Sequence, residues 1–322
     1  ALVLTHNGVT NDLLLNLLFY IIITPVISLT LTKIMFMSEN GMIVRDAMAR
    51  INGVLDIKPL PESAYCEAPE DNSVELKGVS FRYPNAEQNA VSGLNIKIGA
   101  GQTVALVGES GGGKTTVAGL VSRFWDVNEG EILIGGVNVK NIAKKVLSEQ
   151  ISYVFQDSRL LKASVFDNVR LSRPNASVSE VEKALRAAQC DDIVEKLPDG
   201  IYTVIGKEGI YLSGGEQQRI AIARAILKDA PIVVLDEATA FADPENEYLV
   251  QKAFEQLTEG KTVLMIAHRL TTVVNADRIY VLQGGRVAES GTHAELLGKK
   301  GVYASMWNDY RTSVKWNMAK EA

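Results

Sequence analysis

Residues 108–115 carry the first chemistry that the sequence suggests. They read GESGGGKT, which fits the phosphate-loop pattern G-x-x-x-x-G-K-[ST] between the apolar strand QTVALVG and the helical stretch TTVAGLVSRFW. Glycine lets backbone N–H groups approach phosphate oxygens, and a helix that begins at the loop directs its positive end toward them. Lys114 is therefore predicted to contact the β- and γ-phosphates, and Thr115 to bind Mg²⁺. The other predicted nucleotide contacts in this stretch are Gly108, Ser110, Gly111, Gly112, Gly113 and Thr116. An ordinary glycine-rich turn is the weaker alternative, because the full pattern seldom arises by chance.

Two adjacent acids at the end of an apolar run supply the second element. The segment IVVLDE (232–237) predicts a buried strand followed by Asp236 and Glu237, and ligands of open parallel sheets bind at the carboxyl ends of strands. Asp236 is predicted to hold Mg²⁺, and Glu237 to polarise the attacking water as general base. Such a run is a weak signal alone and a good one beside a phosphate loop.

A second helix start with small residues follows the phosphate loop in the chain. The segment LSGGEQQRIAIARAILKD (212–229) places Ser213, Gly214 and Gly215 before an amphipathic helix. This helix start could also bind phosphate. Since one loop already binds the phosphates, the second site must serve the nucleotide of another molecule or none.

These residues carry a family resemblance. LSGGEQQR, including Glu216, resembles the signature of ABC ATPases, and the likeness extends over about 73–310. The resemblance implies ATP and Mg²⁺ as ligands and four further roles. Tyr83 in FRYP would stack on adenine, and Gln156 in VFQD would bind near Mg²⁺ and sense the membrane domain. Asp243 in FADPENE would lie at a dimer seam, and His268 in IAHRL would contact the γ-phosphate. Ordinary structural roles remain the alternatives for these residues, most clearly for Tyr83 and Gln156.

The resemblance also implies how two cassettes work together. Two copies would pair head-to-tail, with ATP between Lys114 of one and Ser213, Gly214 and Gly215 of the other. Catalysis would rest on Glu237, His268 and Lys114. The segment IGKEGIYLSGGEQQR, FRYP and the apolar stretch described below are similar to exporter-type half-transporters. The partner would be a second half-transporter, identical or different. FADPENE and RPNAS (173–177) show a weaker likeness to siderophore-uptake half-transporters of the yersiniabactin and mycobactin kind, which import.

The predicted fold class is α/β: a P-loop cassette with a RecA-like core and a helical lobe, preceded by part of an all-α membrane domain. The cassette is expected at 74–322, with its helical lobe at about 158–228. A linker rich in proline and acids is expected at 58–73. Capping boxes are expected at Ser177–Glu180 and Thr292–Glu295, and the second of these makes His293 structural.

The N-terminal part, 1–57, predicts one membrane span and a connecting helix. No charge interrupts the 20 residues from Leu13 to Thr32, about the length that crosses a bilayer. The span is placed at about 13–36 and the connecting helix at about 38–57. Arg45, Arg50 and Lys58 follow, so this side and the cassette should face the cytoplasm. The resemblance suggests a bacterial inner membrane. One span cannot form a passage, so further spans are expected in a missing N-terminal part or in other chains.

Charge and cysteine content exclude two other classes. The formal net charge is -5 without a long basic run, which argues against nucleic-acid binding. The two cysteines, Cys66 and Cys190, are far apart and form no zinc motif. Three hypotheses compete with a transporter subunit: a soluble ABC ATPase, a regulatory module that binds ATP without turnover, and a peripheral importer ATPase. The apolar span opposes the first and third, and Glu237 and His268 oppose the second.

Overall fold

The computed structural model describes residues 11–63, 65–84, 86–206, 210–236, 244–267 and 269–321. The chain divides into two compact units, Ala1–Pro59 and Leu60–Ala322. Each unit has its own organisation and is considered by itself below.

The described part of the first unit contains one long helix, α1 (Asn11–Leu55). The structure joins the predicted span and connecting helix without a break, because proline occurs within α1 only at Pro25 and nothing after it ends the helix. The Thr30 and Thr32 hydroxyls donate to the carbonyls of Val26 and Ser28, four residues earlier. An 18-residue window of α1 has a mean hydropathy of 2.2 and is not buried at all. Among the described residues, α1 alone is long and apolar enough to cross a membrane.

The second unit contains two β-sheets. A four-stranded antiparallel sheet has the order β2-β1-β4-β5, and a six-stranded sheet has the order β10-β9-β3-β8-β7-β6. The strands are β1 (Val74–Phe81), β2 (Val91–Ile98), β3 (Thr103–Gly108), β4 (Glu129–Ile134), β5 (Val137–Asn138), β6 (Ile151–Val154), β7 (Ile232–Asp236), β8 (Thr262–Ile266), β9 (Arg278–Gln283) and β10 (Arg286–Gly291). Strands β9, β3, β8, β7 and β6 run parallel, so their carboxyl ends share one edge of the sheet, while β10 is antiparallel to β9. The predicted α/β class is confirmed.

Nine helices of the described residues accompany these sheets. They are α2 (Lys114–Val121), α3 (Lys144–Gln150), α4 (Val165–Arg170), α5 (Val178–Ala187), α6 (Asp191–Lys196), α7 (Gly214–Lys228), α8 (Pro244–Thr258), α9 (His293–Lys299) and α10 (Val302–Glu321). Helices α4–α7 fall within 158–228, the range in which a helical lobe is predicted. Their apolar side chains share a core with α8 and with Val233, Leu235 and Val263 of the large sheet. A second core lies between the small sheet, α2 and the large sheet. The lobe therefore packs directly on the sheet that carries the phosphate loop.

The capping boxes expected from sequence are present. Ser177 and Glu180 cap α5, and Thr292 and Glu295 cap α9. His293 Nδ1 lies 2.7 Å from the Tyr303 hydroxyl, which ties α9 to α10. This contact agrees with the structural interpretation of His293.

Residues 60–73, expected to be a linker, belong to the second unit and are hydrogen-bonded to it. Glu67 N donates to Asn141 O at 2.9 Å, and Glu70 N donates to Gly135 O at 3.1 Å. The division of the chain thus falls near the start of the predicted linker rather than its end. Proline and acidic residues favour an extended backbone, but they do not prevent it from bonding along a neighbouring surface.

Candidate functional site

The phosphate loop connects the end of β3 to the start of α2. Gly108 and Gly113 have φ of 143° and 96°, a region that side-chain-bearing residues rarely adopt. A Cβ on Gly108 would lie 2.1 Å from Leu282 O, and one on Gly113 would lie 2.7 Å from Ala90 O. Neighbouring backbone therefore leaves room for glycine alone at these two positions. The turn is closed by a hydrogen bond from Gly112 N to Glu109 O at 3.1 Å.

Lys114 is buried at the first position of α2. Its Nζ donates to Gly108 O at 2.9 Å and to Glu109 O at 2.8 Å, both in the phosphate loop. These bonds hold the ammonium group over the loop, where phosphate oxygens would approach. Only 5% of the lysine is exposed, so its charge lies in a region that screens it less than water does. The position suits an anionic ligand.

The Asp236 carboxylate is held between two hydroxyl groups. Thr115 Oγ1 lies 3.2 Å from Asp236 Oδ1, and the Tyr153 hydroxyl donates to Asp236 Oδ2 at 3.1 Å. Burial, and then the charge of Asp236, raise the pKa of the Tyr153 phenol well above its ordinary value. Tyr153 therefore keeps its proton and acts as the donor toward the carboxylate. The structure thus brings together Thr115 and Asp236, two of the three residues predicted to bind Mg²⁺, although they lie 121 positions apart.

Tyr83, predicted to stack on adenine, lies beside the start of α2. Its hydroxyl is 3.1 Å from Thr116 Oγ1, another predicted nucleotide contact. The Tyr83 ring is half-buried and meets the rings of Phe81 and Trp125 edge-on, with centroids 4.9 and 5.3 Å apart. Trp125 in turn packs on α2 at Gly119, where an added Cβ would lie 3.1 Å from the indole. Tyr83 is thereby fixed next to the phosphate loop.

The signature segment forms the start of α7. Ser213 Oγ accepts a hydrogen bond from Glu216 N, and Glu216 Oε2 accepts one from Ser213 N, which makes a capping box. A serine hydroxyl that accepts this bond can still donate its own proton to a phosphate oxygen. Ser213 and Gly214 are exposed, whereas Gly215 is buried. The exposed residues are available to a nucleotide on another molecule.

Gly215 and Arg219 connect α7 to α8. A Cβ on Gly215 would lie 3.1 Å from Asn246 Cβ, so this glycine permits close packing of the two helices. Arg219 is 1% exposed and donates to both carboxylate oxygens of Asp192 in α6, to Gln189 O and to Asn246 Oδ1. Burial alone would raise the pKa of Asp192, but the bond and charge of Arg219 outweigh it and hold that pKa below its usual value. The start of the signature helix is therefore braced by α6 and α8.

Four predicted site residues have no established contacts. Gln156 is exposed just after β6, and no described residue forms a hydrogen bond with its side chain. Glu237, Asp243 and His268 lie outside the described residues. Asp236 and Ala267, the chain neighbours of Glu237 and His268, border the same edge of the large sheet, because β7 and β8 end there.

Sequence analysis missed two features of this site. The capping box at Ser213 and Glu216 has the same Ser-x-x-Glu spacing that was recognised at 177–180, so the signal was available. The contact of Tyr153 with Asp236 had no local signal. It depends on the parallel register that aligns Tyr153 with Val234, two residues before Asp236.

The described residues fit a magnesium-bound nucleoside triphosphate. The glycine positions that a Cβ would fill, the buried Lys114 ammonium and the exposed Thr115 hydroxyl form a phosphate site. The oxygen pair of Thr115 and Asp236 matches the hard ligands that Mg²⁺ prefers. Tyr83 adds an aromatic ring beside this site, through its hydroxyl contact with Thr116.

Known proteins are similar to this chain in sequence and in fold. The family described as ABC transporter matches residues 91–240. The chain is 49% identical over 250 residues to the "ATP-dependent lipid A-core flippase" of Cupriavidus pinatubonensis, covering 74% of this chain and 42% of that protein. It is 46% identical over 241 residues to the "Mycobactin import ATP-binding/permease protein IrtA" of Mycolicibacterium thermoresistibile, covering 75% of this chain and 26% of that protein. Among solved structures, a bacterial Atm1-family ABC exporter with ATP bound has a TM-score of 0.75 and 37% identity, covering 81% of this chain and 46% of the exporter chain.

The sequence matches and the site geometry indicate the same kind of nucleotide-binding domain. The chain spans less than half the length of these relatives, and the family match includes the phosphate loop, the signature and Asp236. The matched stretch, residues 91–240, belongs to the ABC transporter family, and the chain thus carries an ATP-binding cassette of that family.

Proposed function

We propose that this chain is the ATP-hydrolysing part of an ABC half-transporter of the exporter type, which couples ATP turnover to movement of a substrate across a membrane. The observation that carries the proposal is the joint placement of Lys114, Thr115 and Asp236 at the end of β3 and β7. Sequence likeness to an ATP-dependent flippase and to an ATP-bound exporter supports it.

The residues of the phosphate loop bind and orient ATP. The backbone N–H groups around Gly111 and Gly113 face the phosphates, and Lys114 neutralises charge on the β- and γ-phosphates. Tyr83 contributes a ring face for the adenine. Thr115, Asp236 and Gln156 would hold Mg²⁺, which would supply positive charge beside the phosphates. Glu237 accepts a proton from the attacking water, and His268 donates to the γ-phosphate.

Two cassettes complete each site. The exposed Ser213 and Gly214 at the start of α7 bind the γ-phosphate of ATP held by a partner cassette, either a second copy or a related half. Asp243 lies at the seam between the two. Because ATP then contacts both cassettes, it binds the closed pair more tightly than the open pair, and hydrolysis releases the pair.

The helix α1 links the cassette to the bilayer. Its uncharged stretch, residues 13–32, spans the membrane, and Arg45 and Arg50 favour a cytoplasmic position for its C-terminal end. Further helices, from a longer chain or a partner, complete the passage. Movement of the cassettes reaches the membrane through the C-terminal half of α1.

The proposal is tested with two variants of the full chain in detergent. Glu237→Gln should bind ATP with near-normal affinity and lose at least about 100-fold in phosphate release, because only the general base is removed. The same variant should form a dimer in the presence of ATP and Mg²⁺, measured as molar mass by light scattering. Lys114→Ala should weaken ATP binding itself by about tenfold or more.

A matched control removes a carboxylate outside the site. Glu259, exposed after α8, is changed to Gln, and phosphate release should stay at the level of the unaltered chain. Near-normal turnover in Glu237→Gln would reject the role of Glu237. Unchanged ATP affinity in Lys114→Ala would reject the phosphate-loop assignment.

A further inference from the structure

Tyr153 lies on the same face of the large sheet as Asp236. The residue pairs with Val234 in the parallel ladder of β6 and β7. Side chains two positions apart in a strand share a face, so Val234 and Asp236 point to one side, and Tyr153 does too. The edge strand β6 thereby places a phenol beside the acid at the end of β7.

The two oxygens of the Asp236 carboxylate have different hydroxyl neighbours. Thr115 Oγ1 lies 3.2 Å from Oδ1, and the Tyr153 hydroxyl lies 3.1 Å from Oδ2. One contact comes from the phosphate loop and the other from the strand on the opposite side of β7. Contacts on both oxygens fix the rotation of the carboxylate plane, which one contact alone would leave free.

Packing fixes the Tyr153 ring as well. The ring stacks on Phe155 with a centroid distance of 4.2 Å and an interplanar angle of 29°, and it lies 5.4 Å from the Phe124 ring. Tyr153 is partly buried against the core beneath the sheet. Its hydroxyl is therefore placed toward Asp236 before any ligand binds, with little loss of rotamer freedom.

We propose that Tyr153 is a positioning residue for Asp236, whose hydrogen bond to Oδ2 orients the carboxylate toward Mg²⁺. The inference rests on the proposed function, because it requires that Asp236 hold a metal ion. Hydrogen bonds from neighbouring residues to a metal-binding group orient it, and their loss typically costs about 10- to 100-fold in metal affinity. Since Thr115 still holds the other oxygen, the loss here should lie at or below the lower end of that range.

The test measures how strongly Mg²⁺ aids nucleotide binding. The affinity of the full chain in detergent for AMP-PNP, an analogue that resists hydrolysis, is measured with Mg²⁺ and with EDTA. The ratio of the two affinities reports the metal site separately from the phosphate loop. In Tyr153→Phe, which keeps the stacked ring, the ratio should fall about 3- to 10-fold, while the affinity in EDTA stays unchanged.

Tyr303→Phe is the matched control. It removes a phenolic hydroxyl that bonds to one side chain, His293, away from Asp236, so the ratio should equal that of the unaltered chain. An unchanged ratio in Tyr153→Phe would overturn this inference and leave the proposed function standing. An equal loss of affinity with and without Mg²⁺ would do the same. Failure of the unaltered chain to bind AMP-PNP at all would overturn the proposed function, and the inference with it.

Discussion

Neighbouring glycines of the phosphate loop are restricted in different ways. Gly113 has a φ of 96°, and an added Cβ would lie 2.7 Å from both Ala90 O and Val91 Cγ1. Gly112 has no positive φ, and its Cβ would meet Glu109 O at 3.1 Å, a tight contact that a small shift relieves. The phosphate-loop pattern G-x-x-x-x-G-K-[ST] likewise leaves position 112 open and requires glycine at position 113.

This difference predicts a large effect for one alanine substitution and a small effect for the other. Gly113→Ala should destabilise the cassette by about 2–4 kcal/mol, because backbone strain and a clash add, and should weaken ATP binding by more than about tenfold. Gly112→Ala should cost less than about 1 kcal/mol and change ATP affinity by less than about threefold. Thermal unfolding of both variants measures the change in stability, and ATP titration measures the change in ATP affinity. Equal effects of the two substitutions would contradict the geometric argument.

Helix α7 depends on one buried charge for its placement. Arg219 reaches Asp192 in α6 and Asn246 in α8, while only 1% of its own surface is exposed. Removing one partner of a buried ion pair typically costs about 3–5 kcal/mol. Asp192 is 38% exposed, so water would partly replace the lost arginine and reduce the cost.

We therefore expect Arg219→Met to destabilise the cassette by about 2 kcal/mol, since methionine fills the space and forms none of the bonds. The melting temperature should fall by about 4–8 °C. Arg159→Met breaks the exposed pair with Asp157, whose side chains are 86% and 73% exposed, and should cost less than about 0.5 kcal/mol. Comparable melting temperatures for the two variants would mean that α7 does not rely on Arg219.

Periodicity and motifs identified most elements of the cassette. The phosphate loop, β7 and α7 were predictable because each depends on a short continuous stretch: GESGGGKT, IVVLD and SGGEQQR. Tyr153 could not be found in this way, since its contact with Asp236 spans 83 positions and follows from strand register. Arg219 stands inside the signature segment, yet its burial requires three helices to converge, which no local pattern indicates.

At the scale of the whole molecule, the segment that leaves α1 completes the cassette. Arg123 is 7% exposed, and its Nη2 donates to Pro61 O at 2.7 Å while Nη1 donates to Val139 O at 3.2 Å. The backbone bonds of Glu67 and Glu70 attach the same segment further along. A cassette that begins at Val74 loses all three attachments, among them the acceptor of the Arg123 Nη2 donor.

A chain of residues 60–322 should therefore be more stable than a chain of residues 74–322. The bond of the charged Arg123 donor to Pro61 O accounts for about 1.5–3 kcal/mol of this difference, the usual net contribution of a hydrogen bond to a charged group. Thermal unfolding of the two chains measures the difference. Glu62→Gln in the longer chain serves as control, since it removes only the exposed pair with Lys144 and should cost less than about 0.5 kcal/mol. Equal melting temperatures for the two chains would show that residues 60–73 act only as a tether. A lower melting temperature for the shorter chain would show that residues 60–73 are part of the cassette.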